Sequence, residues 1–139
     1  MGALSLLRVQ VVLSQKLERF LRTSIRSVWD VELLLLLRKE RARSWTTGEL
    51  VRQLRASSLV VSDALVALQR IDLVGREAAD DRFTYRPATD ELAQIVDDLA
   101  ATYASEPASI MHVIWSTPRT NIQTFADAFR LRKDNDDGS

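Results

Sequence analysis

The sequence predicts a mainly α-helical chain carrying one small β-hairpin, with helices flanking it on both sides. Three observations predict it. Apolar residues recur at three- and four-residue intervals over most of the chain, the period of one helix face. Capping residues stand ahead of several of those stretches. Two short runs, Leu73–Arg76 and Arg82–Arg86, read instead as strands, joined by the polar tip Glu77-Ala78-Ala79-Asp80-Asp81.

Taken in order, residues 4–26 read as a helix, with Leu13, Leu17, Phe20 and Leu21 on one face. Lys16, Arg19, Arg22 and Arg26 form a second stripe, either a grip for phosphates or a solvated face. Residues 28–41 read as the next helix, acidic at its start (Asp30, Glu32) and basic at its end (Arg38, Lys39, Arg41), which suits the helix dipole. The leucines Leu33 to Leu37 leave no polar face, so burial nearly all round is expected. Thr46 followed by Glu49 is a capping box for a helix over 47–55, with Trp45 and Leu50 as its hydrophobic staple. A serine after Ala56 caps a helix over 59–71, whose inner face is Val61, Ala64, Leu65, Leu68 and Ile71. Asp72 falls where the chain must turn out of that helix, a position that tolerates Asp in the left-handed conformation. Pro87 ends the hairpin. Thr89 caps a helix to Ser105, Pro107 opens a short one to Trp115, and Thr117-Pro118 opens another carrying Ile122, Phe125, Ala126 and Phe129 on one face. Residues 134–139 read as a disordered tail.

Composition bounds the function. Of 139 residues, 46% are apolar, enough for a core, and 27% are charged. There is no cysteine, which removes disulfides and thiolate metal sites and fits a cytoplasmic location. No apolar run exceeds the five residues of Leu33–Leu37, far short of the ~20 residues of a membrane span, so no membrane partner is expected. Arg8 and Gln10 interrupt the apolar N-terminus and no small-residue cleavage site follows, against a signal peptide. Net charge is zero but uneven. Residues 1–41 hold eight Lys/Arg and four Asp/Glu, a net of +4; residues 42–87 hold seven and six, +1; residues 88–139 hold four and nine, −5. A uniformly basic nucleic-acid binder is excluded.

Enzyme chemistry finds no foothold, and no cofactor or metal is expected. His112 is the single histidine and sits among Ile110, Met111, Val113 and Ile114, the pattern of a packed or partly exposed helix residue. Gly48 and Gly75 are isolated, so no phosphate loop exists. Asp97 and Asp98 are helix neighbours about 100° apart and do not converge on a shared proton. Asp134, Asp136 and Asp137 match a calcium loop only in spacing, with no closing Glu. No set of residues marks a ligand pocket.

Two segments carry a resemblance. Trp45-Thr46-Thr47-Gly48-Glu49-Leu50 looks like the start of the first helix of a helix-turn-helix. Val61-Ser62-Asp63-Ala64-Leu65, Leu68, Leu73-Val74 and Arg76 look like a recognition helix running into a wing strand. With the order helix, short strand, helix, turn, helix, hairpin, about 60 residues resemble the winged helix-turn-helix superfamily of bacterial-type transcriptional regulators. The resemblance implies a winged helix-turn-helix over 28–88, an N-terminal helix over 1–27 for packing or dimerisation, and C-terminal helices over 89–133 for dimerisation or partner docking. It also implies a dimeric regulator of transcription that binds double-stranded DNA. The positions to meet DNA would be Arg52, Arg55, Ser57, Ser58, Ser62, Arg70, Arg76 and Arg82, with Arg86 at the base of the wing.

The sequence departs from that pattern at one point. No Lys or Arg lies between Ala56 and Gln69, and the outward positions should be Leu59, Ser62, Asp63, Val66 and Ala67, with Val60 at the edge. The wing tip is acidic. That leaves a second reading, a protein-interaction module that controls a partner without binding DNA. Contacts with a two-fold mate or a partner are expected from Leu92, Ile95, Val96, Leu99 and Tyr103, a stripe an isolated domain would leave unburied, and from Phe125 and Phe129. The alternative is that the flanking helices fold back as one intrachain bundle.

Overall fold

The computed structural model describes residues 13–117, as six helices and one two-stranded antiparallel hairpin. The helices are α1 (Gln15–Ser24), α2 (Val28–Lys39), α3 (Thr47–Leu54), α4 (Ser58–Arg70), α5 (Asp90–Ser105) and α6 (Pro107–Ser116). The strands are β1 (Val74–Glu77) and β2 (Arg82–Tyr85). The mainly α architecture with a small β wing is therefore as expected. Residues 4–12 of the expected first helix, and Ile122, Phe125 and Phe129, lie outside the described residues.

Local chemistry explains most boundaries. Ser14, Thr46, Ser57 and Thr89 each accept a hydrogen bond from the backbone N–H three residues on, satisfying a donor that the first helical turn leaves open. At Thr46 the box is complete, because Glu49 accepts from the Thr46 N–H at 2.8 Å. Asp72 has φ 61°, the left-handed exit expected of it, and Arg55 and Asp81 adopt the same region after α3 and at the hairpin tip. Arg55 was not foreseen there. With Ala56-Ser57 following, it makes the tight corner between α3 and α4.

The hairpin pairs Val74 with Tyr85 and Glu77 with Arg82 at its two ends. A third strand is reduced to one residue: Trp45 and Phe83 exchange backbone hydrogen bonds of 2.9 and 2.8 Å. This bridge pins the loop ahead of α3 to the wing, so the turn between α2 and α3 cannot move independently of the hairpin. Helices α2, α3 and α4 pack on one another, and α2 also lies against β2. Helices α1, α5 and α6 form a second group of mutually packed helices. One continuous core runs through both, from Leu17, Leu21 and Ile25 through Leu34, Leu37, Leu50 and Leu68 to Leu99 and Ile110.

Four expectations differ from the structure. The stripe on α5 is not left unburied in the single chain. Val96 and Leu99 are buried within the chain, and Leu92, Ile95 and Tyr103 pack partly buried against the same core. Within the chain, α1 and α6 pack against α5 and supply apolar surface to it. Ala67 points inward. At about 100° per residue it lies three positions after Ala64 and six after Val61, on the buried side of α4. Finally, α1 ends at Ser24, so Arg26 leaves the cationic stripe. Of the rest, Lys16 pairs with Glu91 (3.9 Å) and Arg22 with Glu18 (3.2 Å). On α2, Leu33, Leu34 and Leu37 are fully buried while Leu35 and Leu36 are only partly so.

Asp97 and Asp98 turn out to tie the helices together. Arg38 Nε of α2 donates to Asp97 Oδ1 at 2.9 Å, and Ser14 Oγ donates to Asp98 Oδ2 at 2.9 Å. Asp30 is buried in the first turn of α2 and accepts from the Arg26 N–H at 3.0 Å, closing the link from α1. Burial raises its carboxyl above the ordinary 3.8, against the opposing pull of the Arg26 N–H and guanidinium.

Candidate functional site

The expected recognition helix is α4, and its outward side is apolar and acidic. Leu59 is 69% exposed and Val66 45% exposed, with Ser62 and Asp63 between them. These positions, at i, i+3, i+4 and i+7, make one face of the helix. Arg70, one turn on, is the first cation on α4. Aliphatic side chains left in water on a helix whose opposite side is fully packed are surface the fold itself does not require.

The arginines expected near DNA divide into two sets. Arg76 Nε is bound to Asp81 across the hairpin tip at 2.7 Å. Arg82 reaches back to the start of α3, where Nη1 donates to Ser44 O at 3.2 Å and to Glu49 Oε1 at 3.4 Å. Arg43 reaches the other Glu49 oxygen at 3.3 Å and lies 3.6 Å over the Trp45 ring. Glu49 is thus both helix cap and anchor for the wing. Its carboxyl is held below the ordinary value, first by the Thr46 backbone N–H and further by the Thr46 hydroxyl, Arg82 and Arg43. Arg52, Arg55 and Arg70 are exposed and have no ion pair among the described residues. Ser57 and Ser58 are exposed at the start of α4, and the Ser57 Oγ is occupied by its cap. Arg86 lies folded over Gly75, where a Cβ would stand 3.0 Å from the guanidinium.

No protein family, no curated protein and no solved structure matches this chain. No helix among the described residues is long and apolar enough to cross a membrane. Among the same residues, no group of three or more His, Cys, Asp or Glu stands close enough to share a metal ion. His112 is exposed on α6.

A second feature was not visible in the sequence. An open recess of about 470 Å³ lies between α2, the end of α3 and α6, lined by Val28, Trp29, Glu32, Leu54, Met111 and Trp115. Trp29 is 40% exposed and Trp115 63% exposed. Glu32 Oε1 accepts from the Tyr103 hydroxyl at 2.7 Å. Burial, then that hydrogen bond and the Glu32 charge, push the Tyr103 phenol up to about 12. Neither tryptophan lies in the two segments that carry the helix-turn-helix resemblance. They lie too far apart in the chain for any spacing rule to pair them.

Proposed function

We propose that this chain is a winged-helix interaction module that controls a partner protein through the outward face of α4. The observation that carries the reading is the exposure of Leu59 and Val66 beside Asp63 on a helix that bears no cation before Arg70. Non-specific affinity for DNA comes mainly from cations on phosphates, and an exposed carboxylate at the centre of a groove-facing helix opposes it. The acidic wing tip and the capture of Arg82 by the α3 cap weigh the same way. An apolar partner surface with a cation opposite Asp63 complements this face. The reading needs no catalytic group.

Site-specific photo-crosslinking tests it. A benzophenone amino acid at position 66 should capture one discrete partner in cells, and capture should fall at least tenfold when Leu59→Glu is added. Capture insensitive to Leu59→Glu refutes the α4 face as the contact.

One observation favours the alternative, a dimeric DNA-binding regulator. Arg52, Arg55 and Arg70 carry no ion pair among the described residues, and Ser57, Ser58 and Ser62 are exposed at the start of α4, where backbone phosphates are usually met. Surface pairs such as Arg76–Asp81 are also weak enough to exchange for phosphate. Anisotropy titrations on genomic duplexes at low salt decide between the two. Saturable binding that weakens with salt and is lost in an Arg52→Ala/Arg55→Ala/Arg70→Ala variant establishes the DNA reading and overturns the first.

A further inference from the structure

The recess between α2 and α6 has a composition that the α4 face lacks: two indoles and a carboxylate. Trp29 and Glu32 are three residues apart on α2, and Met111 and Trp115 four apart on α6, so each pair shares a helix face. Leu54 closes one side from the end of α3. At about 470 Å³ the recess falls in the range that takes small molecules, ~300–1,000 Å³. Indole faces carry negative quadrupole charge and attract cations, tryptophan most strongly. Glu32 makes no ion pair with any Lys or Arg among the described residues, and its recorded hydrogen bond comes from neutral Tyr103 at Oε1. A carboxylate held in place by a phenol, beside exposed indoles and with no Lys or Arg partner among the described residues, favours a positive occupant.

We propose that this recess binds a small organic ammonium ion, its charged nitrogen set against Trp29, Trp115 and the free side of the Glu32 carboxylate. The hydrocarbon part of such a ligand meets Val28, Leu54 and Met111. Tyr103 acts as a positioning residue, keeping the carboxylate oriented while remaining protonated. The recess shares no lining residue with the α4 face, and its test reads ligand binding rather than partner capture, so its fate does not decide the proposed function, nor the reverse.

The probe is choline, with its neutral isostere 3,3-dimethylbutan-1-ol as control, titrated against the full chain by tryptophan fluorescence. Trp45 is buried in the core, so the change reports on Trp29 and Trp115. Saturable binding of choline, at least fivefold tighter than the alcohol, is expected. Trp115→Ala should weaken choline about fivefold, equivalent to ~1 kcal/mol. Glu32→Gln, which keeps the acceptor for Tyr103, should weaken choline while leaving the alcohol unchanged. Equal binding of alcohol and choline, no saturation with choline, or choline affinity unmoved by Trp115→Ala overturns the proposal. Trp115 is exposed, so its variant should melt with the wild type, and it keeps the test decisive if Glu32→Gln fails to fold.

Discussion

Replacing Leu99 by alanine tests whether the α5 stripe is core or seam. Leu99 is fully buried within the chain and belongs to the continuous core, on a helix that packs against α1 and α6. The substitution removes three buried carbon groups, a transfer loss of ~2.4 kcal/mol at ~0.8 kcal/mol per group. A packed core relaxes only partly over such a gap, so a cavity term brings the total to about 3–4 kcal/mol, within the measured range for such changes. For a domain of this size that is a fall in Tm on the order of 10–20 °C. The assay is urea and thermal unfolding by circular dichroism at two protein concentrations a hundredfold apart. An intrachain core loses the same stability at both. A dimer seam instead gives a midpoint that climbs with concentration, and the substitution reduces that slope. A loss under 1 kcal/mol, or a strongly concentration-dependent wild-type midpoint that Leu99→Ala flattens, refutes the intrachain account.

Three further outcomes are expected. Thr46→Ala removes the acceptor for the Glu49 N–H and should cost about 1 kcal/mol in urea unfolding, and because Glu49 also holds Arg82, protection of the β2 amides in hydrogen exchange should fall with it. Asp30 has a folded-state carboxyl raised above 3.8, so the folded protein binds that proton more tightly than the unfolded chain, and its contribution to stability is lost as pH rises through the raised value. Asp30→Asn keeps an acceptor for the Arg26 N–H, so its stability relative to wild type should increase between pH 4 and pH 7; a parallel pH profile would count against the buried charge. Tyr103→Phe removes the donor to Glu32 and should cost about 1–2 kcal/mol. With the phenol pushed up to about 12, wild-type stability should also decline as pH climbs from 10 towards 12, and the variant should lose much of that decline.

Features that lie within one turn of a helix or one strand pair were legible in the order of residues. Thr46 and Glu49 are three residues apart, so their reciprocal bonds could be read from the letters, as could a serine cap ahead of α4, the left-handed Asp72 and the polar hairpin tip; which of Ser57 and Ser58 caps was left to the structure. The apolar period on α4 also told which residues face inward, failing only at Ala67, whose small side chain does not announce its side. Tertiary structure alone decided which partner each face met. The α5 stripe reads the same whether α1 and α6 or a second copy covers it, because burial lowers free energy without regard to the source of the apolar surface. Arg82 reads as a free cation until the fold carries it to the α3 cap, 33 residues away in sequence. Trp29, Glu32 and Trp115 become one recess only when α2 and α6 come together, since non-local contacts obey no spacing that a linear sequence displays.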